Sequence, residues 1–125
     1  MILGHGVDLA EVARIGRSVD RFGDRFLERV FTRAERAYSG VGRRRDERLA
    51  ARFAAKEAVF KALGTGWAQG AAWTDVEVVR HDSGRPALVL HGKAREMACA
   101  LGVSRWHVSL THTQTLAMAS VIAEG

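Results

Sequence analysis

The stretch RFAAKEAVFKALGTG, residues 52–66, reads as a helix that runs into a glycine-punctuated loop. Phe53, Glu57, Lys61 and Gly64 follow at spacings of four, four and three, so they share one side of that helix. A carboxylate and an amine therefore stand in line with an aromatic core residue. Ordinary surface helices turn acids and bases away from large apolar groups, and breaks in that pattern tend to mark functional sites. Working backwards, the helix begins at about Asp46; Gly64 ends it as a C-cap. The loop GTGWAQG, residues 64–70, offers backbone N–H groups that an anion can approach closely, or else serves as a simple linker.

Upstream, residues 1–9 read as a strand, with Ile2, Leu3 and Val7 around Gly4 and Gly6. Glycines inside a strand mark the close approach of another backbone or of a ligand. Asp8 stands where the pattern turns from strand to helix, as a helix-capping aspartate or as a functional carboxylate. From about Glu11 to Phe31 the pattern is helical, with Val12, Ile15, Val19, Phe22, Phe26 and Val30 as the apolar stripe and Gly23 as a break. Arg14, Arg17, Arg21 and Arg25 form a second stripe, partly neutralised by Asp20, Asp24 and Glu28. It is either a solvated face or a docking surface for an acidic partner. Thr32 followed by Glu35 is a capping-box pattern that starts another short helix. SGVGRRRD, residues 39–46, reads as an exposed loop or helix start in which Arg43, Arg44 and Arg45 serve solubility or meet a phosphate.

Downstream the chain becomes rich in strands. Residues 73–80 alternate, His81 to Pro86 carries turn chemistry, and residues 87–91 return, which makes a hairpin. Residues 92–102 form a short helix ended by glycine, in which Cys99 is a buried small hydrophobe. Residues 106–111 and 115–123 complete the sheet. The order β-α-α-α-β-β-α-β-β predicts an α+β fold with an antiparallel sheet packed against the long central helix.

The chain has 125 residues, which suggests one domain, 1–125. No stretch approaches the roughly 20 apolar residues of a membrane span. The N-terminus lacks the pattern of a signal peptide. With a single cysteine no intrachain disulfide forms, and these features together fit a cytoplasmic protein. The net charge is +5, carried by sixteen Arg and only three Lys. Such a balance speaks of partners rather than fold: nucleic acid, an anionic small molecule or an acidic protein. Few exposed aromatics interleave with the arginines and no nucleic-acid motif occurs, which argues against the first.

Two solutions exist for a partly buried Glu57: an i,i+4 pair with Lys61, or a hard cation held by two carboxylates and substrate phosphates, typical of Mg²⁺. Here a resemblance bears on the choice. GVDL at residues 6–9, F-T-x-x-E at Phe31 to Glu35, and FAAKEAVFKALGTG at residues 53–66 resemble the small 4′-phosphopantetheinyl transferases of the holo-[acyl-carrier-protein] synthase type. SGRP at residues 83–86 and HVSLTHT at residues 107–113 follow in order, so the likeness covers nearly the whole chain. It implies transfer of the phosphopantetheine group of coenzyme A to a serine of an acidic acyl carrier protein, of fatty-acid or polyketide synthesis, with release of adenosine 3′,5′-bisphosphate. It implies Mg²⁺, or Mn²⁺ in its place, on Asp8 and Glu57, and a homotrimer with its active sites between subunits. Nucleic acid and membrane are not implied as partners. Lys61 would stabilise or protonate the leaving phosphate, Glu57 or a water at the metal would take the serine proton, and His112 with Thr113 would sit near the pyrophosphate. Gly64, Thr65 and Gly66, with Ser83, Gly84, Arg85 and Pro86, would bracket the nucleotide. Arg52 and the Arg43, Arg44, Arg45 run are candidates for its 3′-phosphate. Arg14, Arg17, Arg21 and Arg25 would dock the carrier.

Overall fold

In this computed structural model residues 1–64 and 70–125 are described, and of Arg43 only the backbone. The order is β1 (Ile2–Glu11), α1 (Val12–Phe22), α2 (Asp24–Val30), α3 (Arg33–Ser39) and α4 (Arg43–Leu63), then a 3₁₀ turn (Trp73–Asp75), β2 (Val76–Arg80), β3 (Pro86–Leu90), α5 (Gly92–Ala100), β4 (Arg105–His112) and β5 (Leu116–Glu124). The α+β class and the antiparallel pairing are as the sequence predicts. β1, β5 and β4 form one antiparallel sheet in that order, and β2 pairs with β3 in a second. The helical stretch before Phe31 is two helices, because Gly23 adopts φ +57 between them.

Alanine and long straight-chain residues, all strong helix formers, carry α4 for 21 residues. It starts at Arg43 rather than Asp46: Gly42, at φ +86, turns the chain and the arginine run is already helical. Gly64 stops it in the left-handed conformation, its N–H bonded to the carbonyls of Phe60 and Lys61. Leu49, Ala50, Ala51, Ala54, Ala55, Ala58, Val59, Phe60 and Leu63 are all buried, so α4 is enclosed on several sides rather than along one stripe. Its small residues admit β1 at backbone distance. A Cβ on Gly4 would lie 2.1 Å from the Ala62 carbonyl oxygen, and one on Gly6 1.9 Å from that of Ala58. The two strand glycines thus mark the approach of a backbone. β5 covers the next strip of α4 with Ala117, Ala119, Val121 and Ala123, all buried.

The charges truly inside the core are not Glu57 and Lys61 but their neighbours. Lys56 and Glu35 have fully buried side chains, with Lys56 Nζ 2.7 Å from Glu35 Oε1. Lys56 also donates to the carbonyls of Trp73 and Val76. The capping box forms as the sequence predicts, with Glu35 N–H bonded to Thr32 Oγ1 and Thr32 N–H to Glu35 Oε1. Glu35 Oε2 accepts from the Val78 N–H at 2.9 Å. One carboxylate therefore caps α3, neutralises α4 and anchors β2. Burial holds the Lys56 ammonium below its ordinary pKa, against the opposing pull of Glu35.

Two expectations fail here. Cys99 is exposed: α5 buries Ala94, Met97 and Ala98 and turns the thiol outward. Phe22, assigned to the apolar stripe of α1, is 49% exposed at the helix end before Gly23.

The pair makes a sharp prediction. Lys56→Met leaves Glu35 charged and buried without its cation, and is expected to cost about 3–5 kcal/mol in urea unfolding. Adding Glu35→Gln should recover part of that loss. A single variant as stable as the parent would refute the pair's role.

Candidate active site

Alternation along β1 puts Asp8 on the same face as Gly4 and Gly6, towards α4. A pocket of about 160 Å³ opens there, lined by Asp8, Leu9, Ala10, Glu11, Arg14, Ile15, Phe53 and Glu57. Asp8 and Glu57, 49 positions apart in the chain, meet in this one concavity. Phe53, one turn ahead of Glu57, forms part of its wall and is stacked on Trp73 with ring centroids 4.9 Å apart. The Phe53–Glu57–Lys61 line is the partly exposed side of α4, which is why it can carry charge.

Lys61 reaches across to the strand. Its Nζ lies 2.9 Å from Asp8 Oδ1 and 3.0 Å from the Val7 carbonyl oxygen. Asp8 is 17% exposed and Lys61 54%. Lys61 thus links the helix to the strand.

The donor set suits a hard cation. Three carboxylates, Asp8, Glu11 and Glu57, line the pocket, and Asp8 already holds a positive charge. Among the described residues no group of three His, Cys, Asp or Glu side chains forms a complete protein cage. A cation between Asp8 and Glu57 would take its remaining oxygens from water and substrate, the habit of Mg²⁺.

The other predicted residues fall elsewhere on the chain. His112 ends β4, where its Nδ1 lies 3.8 Å from Glu47 Oε2 on α4. In the sheet register it is opposite Ala117, which is opposite Ala10, so two strand spacings, roughly 10 Å, separate it from β1. The Thr113 hydroxyl accepts from the N–H groups of Thr115 and Leu116, and shapes the β4–β5 turn. Ser83, Gly84, Arg85 and Pro86 form the β2–β3 hairpin turn, with the His81 N–H bonded to the Arg85 carbonyl and Gly84 at φ +88. Arg52 is buried, 2% exposed, and donates to the Arg48 carbonyl. Gly64 is the last described residue of the glycine loop; Thr65 and Gly66 lie outside the described residues.

The arginine stripe borders the pocket. Arg14 belongs both to it and to a groove of about 640 Å³ lined by Arg17, Ser18, Asp20, Arg21 and Phe22. Phe22 then leads into a second depression of about 240 Å³ with Arg25, Phe26 and Arg29. The Arg21 guanidinium lies 5.2 Å from the Phe22 ring centroid. Sequence reasoning missed Phe22 and Arg29 in this track, and Glu47 beside His112. The signal for Phe22 was its place next to Gly23, where a helix face ends.

The family of 4′-phosphopantetheinyl transferases matches residues 4–119, and the chain belongs to that superfamily. The holo-[acyl-carrier-protein] synthase of Koribacter versatilis is 54% identical over 124 residues, 99% of each chain. The crystal structure of the Neisseria meningitidis holo-[acyl-carrier-protein] synthase superposes with a TM-score of 0.89 at 32% identity, over the full length of both. That of the Bacillus anthracis enzyme, solved in complex with coenzyme A (3′,5′-ADP), gives 0.81 at 35% identity, covering 98% of this chain and 96% of the other.

A half-exposed ion pair carries little stability. Lys61→Gln is therefore expected to change the unfolding free energy by less than about 1 kcal/mol. A urea-denaturation loss of more than about twice that bound would assign Lys61 a structural rather than a site role.

Proposed function

We propose that the chain transfers the 4′-phosphopantetheine group of coenzyme A to a serine hydroxyl of an acyl carrier protein and releases adenosine 3′,5′-bisphosphate. The observation that carries the residue assignment is the single pocket shared by Asp8 and Glu57, with Lys61 bound to Asp8 at its edge. Asp8 and Glu57 would hold Mg²⁺, which when bound neutralises and polarises the pyrophosphate. Mn²⁺ satisfies the same oxygen donors. Attack by a serine oxygen on the phosphorus nearest pantetheine forms one P–O bond and breaks the bond to the bridging pyrophosphate oxygen. Such a reaction needs positioning and charge neutralisation more than covalent help. The ammonium of Lys61 has three N–H donors, of which two reach Val7 and Asp8. The third is available to the leaving phosphate. Glu57, or a water at the metal, would accept the serine proton, and the position of Glu57 in the pocket lining supports the first.

His112, Thr113 and the turn at residues 83–86 act on the same substrate, from the neighbouring subunit of a homotrimer. Two observations support this. On one chain His112 is two strands away from the Asp8 pocket. The outer face of the sheet leaves Val7 44%, Leu9 59%, Leu116 38% and Met118 40% exposed, an apolar surface suited to a second copy. Gly64, Thr65 and Gly66 would complete the nucleotide site. The carrier, acidic where this protein is basic, docks along Arg14, Arg17, Arg21 and Arg25, with Phe22 as an apolar contact. We place the reaction in the cytoplasm, where an exposed, unpaired Cys99 stays reduced; no helix among the described residues is long and apolar enough to cross a membrane.

The test combines the protein with coenzyme A, Mg²⁺ and apo carrier protein, and weighs the carrier by mass spectrometry. A gain of one phosphopantetheine is expected, and Glu57→Gln should lower the rate by at least about 10³ while the circular dichroism is unchanged. No mass gain from folded protein on a panel of apo carriers, or full activity in Glu57→Gln, would refute the reading.

Docking is tested separately. Arg14→Glu should raise KM for the carrier at least about tenfold, and more than it raises KM for coenzyme A. Equal effects on both would remove the arginine track from carrier recognition.

A further inference from the structure

The end of β4 meets the start of α4 through one pair of side chains. The sheet register sets His112 opposite Ala117, and Ala117 opposite Ala10. Ala117 and Ala10 are buried, so this row lies on the helix side of the sheet, and His112 closes it at the end of β4. Glu47 stands against it, in the second turn of a helix that begins at Arg43. Its Oε2 lies 3.8 Å from His112 Nδ1. The Glu47 side chain is 14% exposed and that of His112 47%.

The choice of partner is informative. Glu47 has Arg44, Arg45 and Arg48 beside it in the sequence. No ion pair among the described residues joins it to any of them. Arg45 instead holds Asp46 at 3.1 Å, and Arg48 donates to the Ser39 carbonyl. A mostly buried carboxylate needs a donor, and the one it faces is the imidazole. The Thr113 carbonyl oxygen lies 3.4 Å from the same Nδ1. Two acceptor oxygens around Nδ1 place the ring hydrogen there, and the bond made by one ring nitrogen fixes the role of the other. Nε2 has no hydrogen bond among the described residues.

We propose that Glu47 is a positioning residue, which holds His112 by Nδ1 so that Nε2 is presented to a phosphate oxygen of coenzyme A. The assignment rests on the transferase reading and on the place that reading gives His112. When the ring carries its second proton, Nε2 becomes a donor to a phosphate oxygen and Glu47 balances the charge from behind. A carboxylate behind a working imidazole keeps one tautomer and one ring orientation. The 3.8 Å contact is longer than a hydrogen bond and would close with substrate in place, as polar contacts in ligand-free sites do.

The test is a double-mutant cycle on the whole protein, with the Kd of coenzyme A read by titration calorimetry. Glu47→Ala and His112→Ala should each weaken binding about tenfold. The double variant should stay within about twofold of His112→Ala, because without the ring Glu47 has nothing to orient. Glu47→Gln keeps an acceptor oxygen and should recover most of the loss. Losses that multiply to about a hundredfold in the double variant would make Glu47 independent of His112 and overturn the assignment. A second measurement needs no variant. In ¹⁵N-resolved spectra of the ligand-free parent, the neutral His112 ring should carry its hydrogen on Nδ1, and a hydrogen on Nε2 would also overturn it. A parent that modifies apo carrier while Glu47→Ala binds coenzyme A as tightly as the parent sinks this assignment alone. A parent that neither binds coenzyme A nor modifies a carrier sinks the transferase reading, and this assignment with it.

Discussion

Hydrogen atoms in place of Cβ groups at Gly4 and Gly6 let β1 lie directly on the alanine-rich surface of α4. Any larger residue would meet a helix carbonyl oxygen and hold the strand off. The site follows from that contact. Continuing with period two, the strand delivers Asp8 towards the helix, into the pocket that Glu57 also lines. Lys61 then bridges the two elements at Asp8. A carboxylate pair drawn from distant parts of the chain is thereby fixed by backbone packing, on regular elements rather than on loops.

On the opposite side of α4, Lys56 and Glu35 do a different job. A buried ion pair is weak evidence for net stability, because desolvation offsets most of the attraction. What this one supplies is geometry: a single carboxylate with partners on α3, α4 and β2 leaves those elements one mutual arrangement. The hairpin that carries Ser83, Gly84, Arg85 and Pro86 is thus tied through β2 to the helix that carries Glu57 and Lys61.

Local grammar was legible in the sequence, and long-range partnership was not. The Thr32–Glu35 capping box, the break at Gly23, the stop at Gly64 and the hairpin around Gly84 each depend on a few adjacent residues, and each is present as read. The start of α4 was misplaced because the arginine run carries no apolar period, although its residues are good helix formers. Cys99 was assigned inward because α5 is short and small-residued, so its apolar face is poorly marked. The meeting of Lys56 with Glu35, 21 residues apart, has no sequence signature, nor does the choice of Lys61 for Asp8 across 53 positions. For the site, the motif pointed to Asp8, Glu57 and Lys61 together. Their geometry depends on how tightly two glycines let a strand approach, which periodicity does not encode.

The burial of Lys56 has a practical side. Arginine supplies nearly all the positive charge, and of three lysines one is sealed in the core. An amine-reactive reagent therefore meets only two side-chain amines in the folded protein, Lys61 at the pocket and Lys93 on the first turn of α5. Selective acylation of surface amines becomes a direct chemical reporter of whether the pocket is occupied, with Lys93 as the internal reference.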